Sequence, residues 1–203
     1  MERVNSLFPY LARIVAAAVA ITINEYVKAA VSSALGDVKP REQGRLTLNP
    51  LKHLDFLGFF AMWYTGLGWG KPVATSNTHY KNRRTGVMLT YITPMAANVL
   101  CGFIFAAVMR TLNQMPYTPA LLYISALLRI TAFYNVSLGL FNLIPVYPLC
   151  GEKIVRLFLN PNAAVAMSRY EKIFQIILMV LVFMGFLNMA INPAAAFLLG
   201  FAS

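Results

Sequence analysis

Thr85-Gly-Val-Met-Leu-Thr-Tyr-Ile-Thr-Pro-Met-Ala-Ala-Asn-Val-Leu-Cys-Gly-Phe-Ile-Phe-Ala-Ala-Val-Met109 runs 25 residues without a charged side chain. Arg83 and Arg84 precede it and Arg110 closes it. A helix needs about 20 apolar residues to cross a bilayer core, so this stretch reads as a spanning helix over 86–110. Further charge-free windows follow at 111–128 and 130–151, separated by Arg129, and at 173–203. They predict helices at 118–142 and 172–192, with Asn192-Pro193 bending or ending the last. Composition agrees. The 203 residues are 59% hydrophobic and 12% charged, with a mean hydropathy of +0.62. Soluble domains are about 45–50% apolar and about 25% charged, and a chain this short cannot hide the difference in a water-facing globule. Disorder is excluded by the same numbers. The expected class is an all-α polytopic membrane protein, a helical bundle forming one domain over 1–203, without repeats or linkers.

The net charge of +10 follows from loops and not from nucleic-acid binding. Eight Lys and Arg residues lie between the first helix and residue 85, and Lys153, Arg156, Arg169 and Lys172 lie in 150–172. Near residues 110–118 there is only Arg110. By the positive-inside rule, residues 37–84 and 150–172 are cytoplasmic and the N-terminus is outside. No nucleic-acid partner is expected; the lipid bilayer is. Cys101 and Cys150 form no framework pattern, and no disulfide is expected.

The first helix, 8–35, opens as an alanine-rich apolar run broken by Arg13, then meets Asn24, Glu25 and Lys28. A secretory leader is not expected, because the run continues helically to Gly36, a C-cap. Glu25 and Lys28, three apart, share a face and can pair; ionisable residues at membrane depth mark function by default. Asn24, Asn98, Asn135 and Asn142 are further intramembrane polar groups, as interhelical glue or as a site. Residues 54–69, apolar but short, suit a re-entrant or interfacial segment within a membrane-associated region at 40–75. In Gly44-Arg-Leu-Thr-Leu-Asn-Pro-Leu51 the alternation reads as a short strand, and Gly68-Trp-Gly-Lys-Pro-Val73 as a turn into extended chain. Such segments can pair with an extended peptide. Phe141-Asn-Leu-Ile-Pro-Val-Tyr-Pro-Leu-Cys-Gly151 carries two prolines that stop a helix and force extended backbone, which fits a loop lining an internal cavity.

These pieces, in this order, resemble the site-2 protease family of intramembrane zinc metallopeptidases over about residues 14–155. Residues 44–55, with His53 and Asp55, resemble that family's GRLTLNPLxHxD stretch. Residues 68–73 resemble GWAKPV, Thr93–Asn98 resemble AGPLAN, and Asn135 with 141–151 resembles FNLxPxxPLDG. The resemblance implies a site-2-protease-like bundle with a small β or re-entrant segment. It also implies zinc held by the two histidines of His-Glu-x-x-His and by the aspartate of LDG. Here those positions carry Asn24, Lys28 and Cys150, and only Glu25 remains of the catalytic helix.

An amide is a poor zinc ligand, an ammonium has no lone pair, and one thiolate is not a site. His53 and His79 are the only histidines; the first lies in the family's loop motif without being a ligand, and the second in a basic loop. No zinc and no other cofactor is therefore expected, and Glu25 is vestigial without a metal to activate water. The resulting expectation is a pseudoprotease that binds or regulates a transmembrane client or an active relative. Its cavity or client-binding residues would be Asn98, Asn135, Asn142, Pro145 and Pro148. Two alternatives stand beside it. One is an active peptidase with a non-standard site, either rescued zinc, Cys150 with Lys28, or Ser32 with Lys28. The other is a channel or transporter using the same cavity.

Overall fold

A computed structural model describes residues 2–201, with side chains from Leu7 onward. The long first helix, α1 (Glu2–Ala34), ends where Gly36 takes a left-handed φ of 103° and Asp37 N–H returns to Ser32 O at 3.1 Å. A one-turn helix, α2 (Lys39–Glu42), and a 3-10 turn at Pro50–Lys52 follow. The short apolar α3 (Phe56–Thr65) leads to irregular chain, and then come the long α4 (Arg83–Leu112) and α5 (Pro119–Phe141). The chain closes with α6 (Cys150–Arg156), α7 (Pro161–Arg169), α8 (Glu171–Phe183) and α9 (Phe186–Leu199). By length and composition α1, α4 and α5 can each cross a membrane, and the bent pair α8–α9 makes a fourth candidate.

The core is α1 against α4 and α5. Ala16, Ala17 and Ala20 of α1 are fully buried, so the partner backbones come close. Between α4 and α5 the small residues are glycines. A Cβ on Gly102 would meet Val136 Cγ2 at 2.5 Å, and one on Gly139 would meet Val99 Cγ2 at 2.8 Å. Outward faces are apolar instead: Leu11, Ile14, Leu89, Ile104 and Ile124 are all exposed. This is the surface of a protein solvated by lipid.

Residues 54–70 form a hairpin. Leu54 and Gly70 make a single antiparallel bridge, so the chain returns to where it left and does not cross. α3 descends, and Leu67–Trp69 climb back against it. The arms touch: a Cβ on Gly68 would lie 2.1 Å from Gly58 O, and one on Gly58 would lie 2.2 Å from Trp69 O.

Several expectations need correction. Among the described residues there is no strand, and the bridge at 54 and 70 is all the β structure. Residues 44–51, read as a strand, are bends leading to the 3-10 turn. Their polar atoms bond locally: Asn49 N–H donates to Thr47 Oγ1 at 3.2 Å, and His53 Nε2 to Thr47 O at 2.7 Å. Side chains of this kind offer the backbone an alternative to a ladder. Residues 142–149 form successive turns, not extended chain. The helix expected at 172–192 is two helices bent by 67°, because Gly185 adopts a left-handed φ of 79°. Helix α9 runs through Asn192-Pro193 to Leu199; the proline removes one backbone donor but does not end it, as membrane helices tolerate.

Candidate functional site

Asn24, Glu25 and Lys28 lie buried on α1. Lys28 Nζ sits 2.7 Å from Glu25 Oε1, the pairing expected of i,i+3 neighbours. The second carboxylate oxygen, Oε2, accepts the backbone N–H of Val73 at 3.2 Å. Glu25 is thus spent twice, on a cation of its own helix and on the extended chain after the hairpin. A Cβ on Gly70 would lie 2.8 Å from Glu25 Cγ and 2.7 Å from Ile21 Cγ2, so only glycine admits this segment to α1.

Cys150 reaches the same place from α6. Asn142, capping the end of α5, accepts Cys150 N–H on its Oδ1 at 3.1 Å and Gly151 N–H on its backbone oxygen at 2.8 Å. The sulfur is buried within the field of the Lys28 ammonium. Burial pushes the Cys150 thiol up to about 11, and the neighbouring ammonium only moderates that rise. The group therefore stays a protonated thiol near neutral pH.

Asn24 faces another way. Its Nδ2 donates to Asn98 Oδ1 at 2.9 Å, and Asn98 Nδ2 donates to Asn135 Oδ1 and to Ala20 O, each at 3.0 Å. Asn135 Nδ2 donates in turn to Thr131 O at 2.8 Å. This chain ties α1, α4 and α5 together. Ser32, a candidate partner of Lys28, bonds elsewhere: its hydroxyl meets Asp37 Oδ2 at 2.7 Å and the Tyr80 hydroxyl at 2.8 Å.

Beside this cluster opens a cleft of about 1200 Å³, walled by residues 71–77, the start of α4 and the α6–α7 region. Tyr80, Val87 and Tyr91 line it, with Lys71, Arg83, Arg84, Lys153 and Arg156 as its cations and, among the described residues, no acidic one. Arg156 is tied back to Glu152 and to Glu171, the latter at 2.7 Å; burial pulls its guanidinium down, and these two carboxylates more than restore it. None of the five residues expected to line a cavity borders the cleft: Asn98, Asn135, Asn142, Pro145 and Pro148 all lie off it. The asparagines are consumed by the bonds above, and Pro145 is exposed.

Sequence reasoning missed Val73, Tyr80 and Tyr91. A backbone N–H carries no residue signature, and the Tyr91 hydroxyl finds Thr75 Oγ1 at 2.8 Å across 16 residues. Arg45 was missed too. Buried, it bonds the carbonyls of Lys52 and Pro72 and so pins the hairpin's flanks.

The groups at this centre do not suit a zinc ion. They are an amide already bonded to Asn98, an ammonium held on the carboxylate, and one cysteine; a single sulfur does not make the three-ligand set that zinc takes. Among the described residues, no three His, Cys, Asp or Glu side chains converge.

Residues 7–187 match the family model described as Peptidase family M50. The chain is also 31% identical over 179 residues to "Putative zinc metalloprotease YwhC" of Bacillus subtilis (strain 168), covering 87% of this chain and 81% of that protein. No solved structure matches.

Proposed function

The chain belongs to peptidase family M50, and from that premise we propose that it is a multi-pass membrane protein that binds transmembrane clients without cleaving them. The carrying observation is the state of Glu25. Glu25 is buried, each of its oxygens already accepts a donor, from Lys28 and from Val73, and among the described residues no set of metal ligands stands beside it to activate a water. The ammonium of Lys28 supplies positive charge beside that carboxylate, the service a metal would otherwise perform. A buried ion pair of this kind neutralises the site without creating a Lewis acid.

Client binding falls to the cleft. Pairing with a client backbone is restricted there: Val73 N–H is held by Glu25, and Ala74 exchanges two bonds with the Gln43 side-chain amide at 3.0 and 3.3 Å. Recognition therefore rests on the apolar wall and on Lys71, Arg83 and Arg84, which among the described residues carry no ion pair while Lys153 and Arg156 do; these suit a membrane segment with an acidic flank. The cleft faces the cytoplasm of a bacterial cell under the positive-inside rule. A Cys150 nucleophile fits less well, since the thiol is buried, protonated and off the cleft.

The test is metal content and cleavage by the purified full chain. Less than a tenth of an equivalent of zinc and an intact helical reporter are expected. Stoichiometric zinc that is lost on Cys150→Ala would overturn the reading. The triple change Asn24→His, Lys28→His and Cys150→Asp should bring metal binding back. Cleavage need not return with it, because groups around metal ligands also tune them.

A further inference from the structure

At the end of the bundle far from Glu25, two arginines interrupt apolar stretches of their helices. Arg13 lies in α1 and Arg129 in α5. The helices are aligned there, with the Phe8 and Tyr123 rings 4.8 Å apart. Both arginines line one recess of about 420 Å³, closed by the hairpin tip at Tyr64–Gly66 and by Asn192 of α9. Among the described residues, no acidic one lines it. Among the described residues neither arginine makes an ion pair or a hydrogen bond to protein; Arg129 only stacks over Phe201, 5.3 Å from the ring centre. Asn192 Oδ1, also on this recess, is buried without a hydrogen-bond partner.

The level of the recess is set by aromatics. Trp63 Nε1 donates to Tyr10 O at 3.1 Å, and Tyr10 and Tyr64 are exposed beside it. Amphipathic rings gather at headgroup depth, and arginine stems reach toward that level while their heads stay charged. Two like charges facing one recess in a low-dielectric surround repel each other and want an anion. We propose that this recess binds the phosphodiester of an anionic phospholipid, with Arg13 and Arg129 on the phosphate oxygens and Asn192 Oδ1 accepting a headgroup hydroxyl. A headgroup carrying its own ammonium is disfavoured by the same two charges. The surrounding Phe133, Tyr134 and Ile130 supply the wall for acyl chains. This site is separate from the basic cleft and does not depend on the activity assigned to Glu25.

The experiment uses the full chain in detergent, with native mass spectrometry and thermal melting. The probes are phosphatidylglycerol, phosphatidic acid, phosphatidylcholine and inorganic phosphate. Wild type should retain one phosphatidylglycerol in preference to phosphatidylcholine, with a matching rise in melting temperature. R13Q/R129Q should weaken that binding roughly tenfold or more, while R83Q in the basic cleft leaves it unchanged. Asn192→Ala should weaken phosphatidylglycerol several-fold but leave phosphatidic acid, which lacks the headgroup hydroxyl, as it was. Equal retention of phosphatidylcholine would overturn the proposal. So would binding indifferent to R13Q/R129Q, or an equal shift from inorganic phosphate alone, which would make the recess a site for a free anion. Should the double variant fail to fold, the preference of wild type for phosphatidylglycerol over phosphatidylcholine decides by itself.

Discussion

Helix α1 carries charge at two levels, and the bundle treats them in opposite ways. Near its C-terminal half Glu25 and Lys28 are of opposite sign, buried, and fully engaged. Near its N-terminal half Arg13 shares a recess with Arg129, of the same sign, exposed, and without a counter-ion among the described residues. Charge inside a membrane protein is either cancelled within the fold or left for the surroundings to cancel. The inner pair should therefore respond to substitutions in the protein, and the outer pair to lipid.

The sharpest way to break this contrast is Lys28→Met. It leaves a buried carboxylate with one backbone donor and should cost about 3–5 kcal/mol in detergent melts. Adding Glu25→Gln should recover much of that loss, because the amide oxygen still accepts from Val73 and no charge remains. Strictly additive losses would show that the two residues do not interact. A second, smaller effect should follow from Asn98→Ala, which removes three bonds joining α1 to α4 and α5. About 2 kcal/mol is expected, since interhelical bonds in membranes are individually modest; no loss would mean that the asparagine chain is incidental.

Cys150 sharpens the comparison through pH. Its folded-state value of about 11 lies above the ordinary 9.0, so the folded protein keeps a proton that the unfolded chain gives up. Stability should be unaffected by this group below pH 9 and fall as pH rises from 9 to 11. Cys150→Ser should flatten that part of the curve. With Cys101 replaced, maleimide labelling of Cys150 at pH 7 should be slow, and rapid labelling would contradict a buried thiol. The smallest effect is reserved for R13Q/R129Q in lipid-free detergent. Among the described residues the Arg129–Phe201 stack is the contact that is lost, so melting should stay within about 1 kcal/mol of wild type. A loss on the scale of Lys28→Met would erase the distinction between the two levels.

The all-α bundle was legible in the sequence because long uncharged windows have one solution in a bilayer. The Glu25–Lys28 pair was legible too, since i,i+3 spacing on a helix fixes neighbours. What escaped was set by single backbone angles or by distant partners. Gly185 sits in an uncharged run where nothing announces a left-handed residue, so α8 and α9 read as one helix. Leu46-Thr47-Leu48 alternates as a strand does, yet Thr47 and Asn49 satisfy their neighbours first. The asparagines were visible as polar residues, but their spending on one another depends on the packing of three helices. Arg129 was visible as an interruption. Its meeting with Arg13 required knowing that α1 and α5 lie in register.

The hairpin at 54–70 has a consequence for how the protein is made. Its turn is bonded partly within itself, Leu67 N–H donating to Thr65 Oγ1 at 3.1 Å, and partly from outside, the Asn188 amide of α9 donating to Thr65 O at 2.7 Å. Bare backbone of this kind cannot sit in hydrocarbon. As the chain emerges from the ribosome, residues 54–70 appear before α4, α5 and α9 exist to shelter them. Its bond from α9 can form only once that helix has been made. A segment written early thus completes its bonding with a residue 123 positions later in the chain.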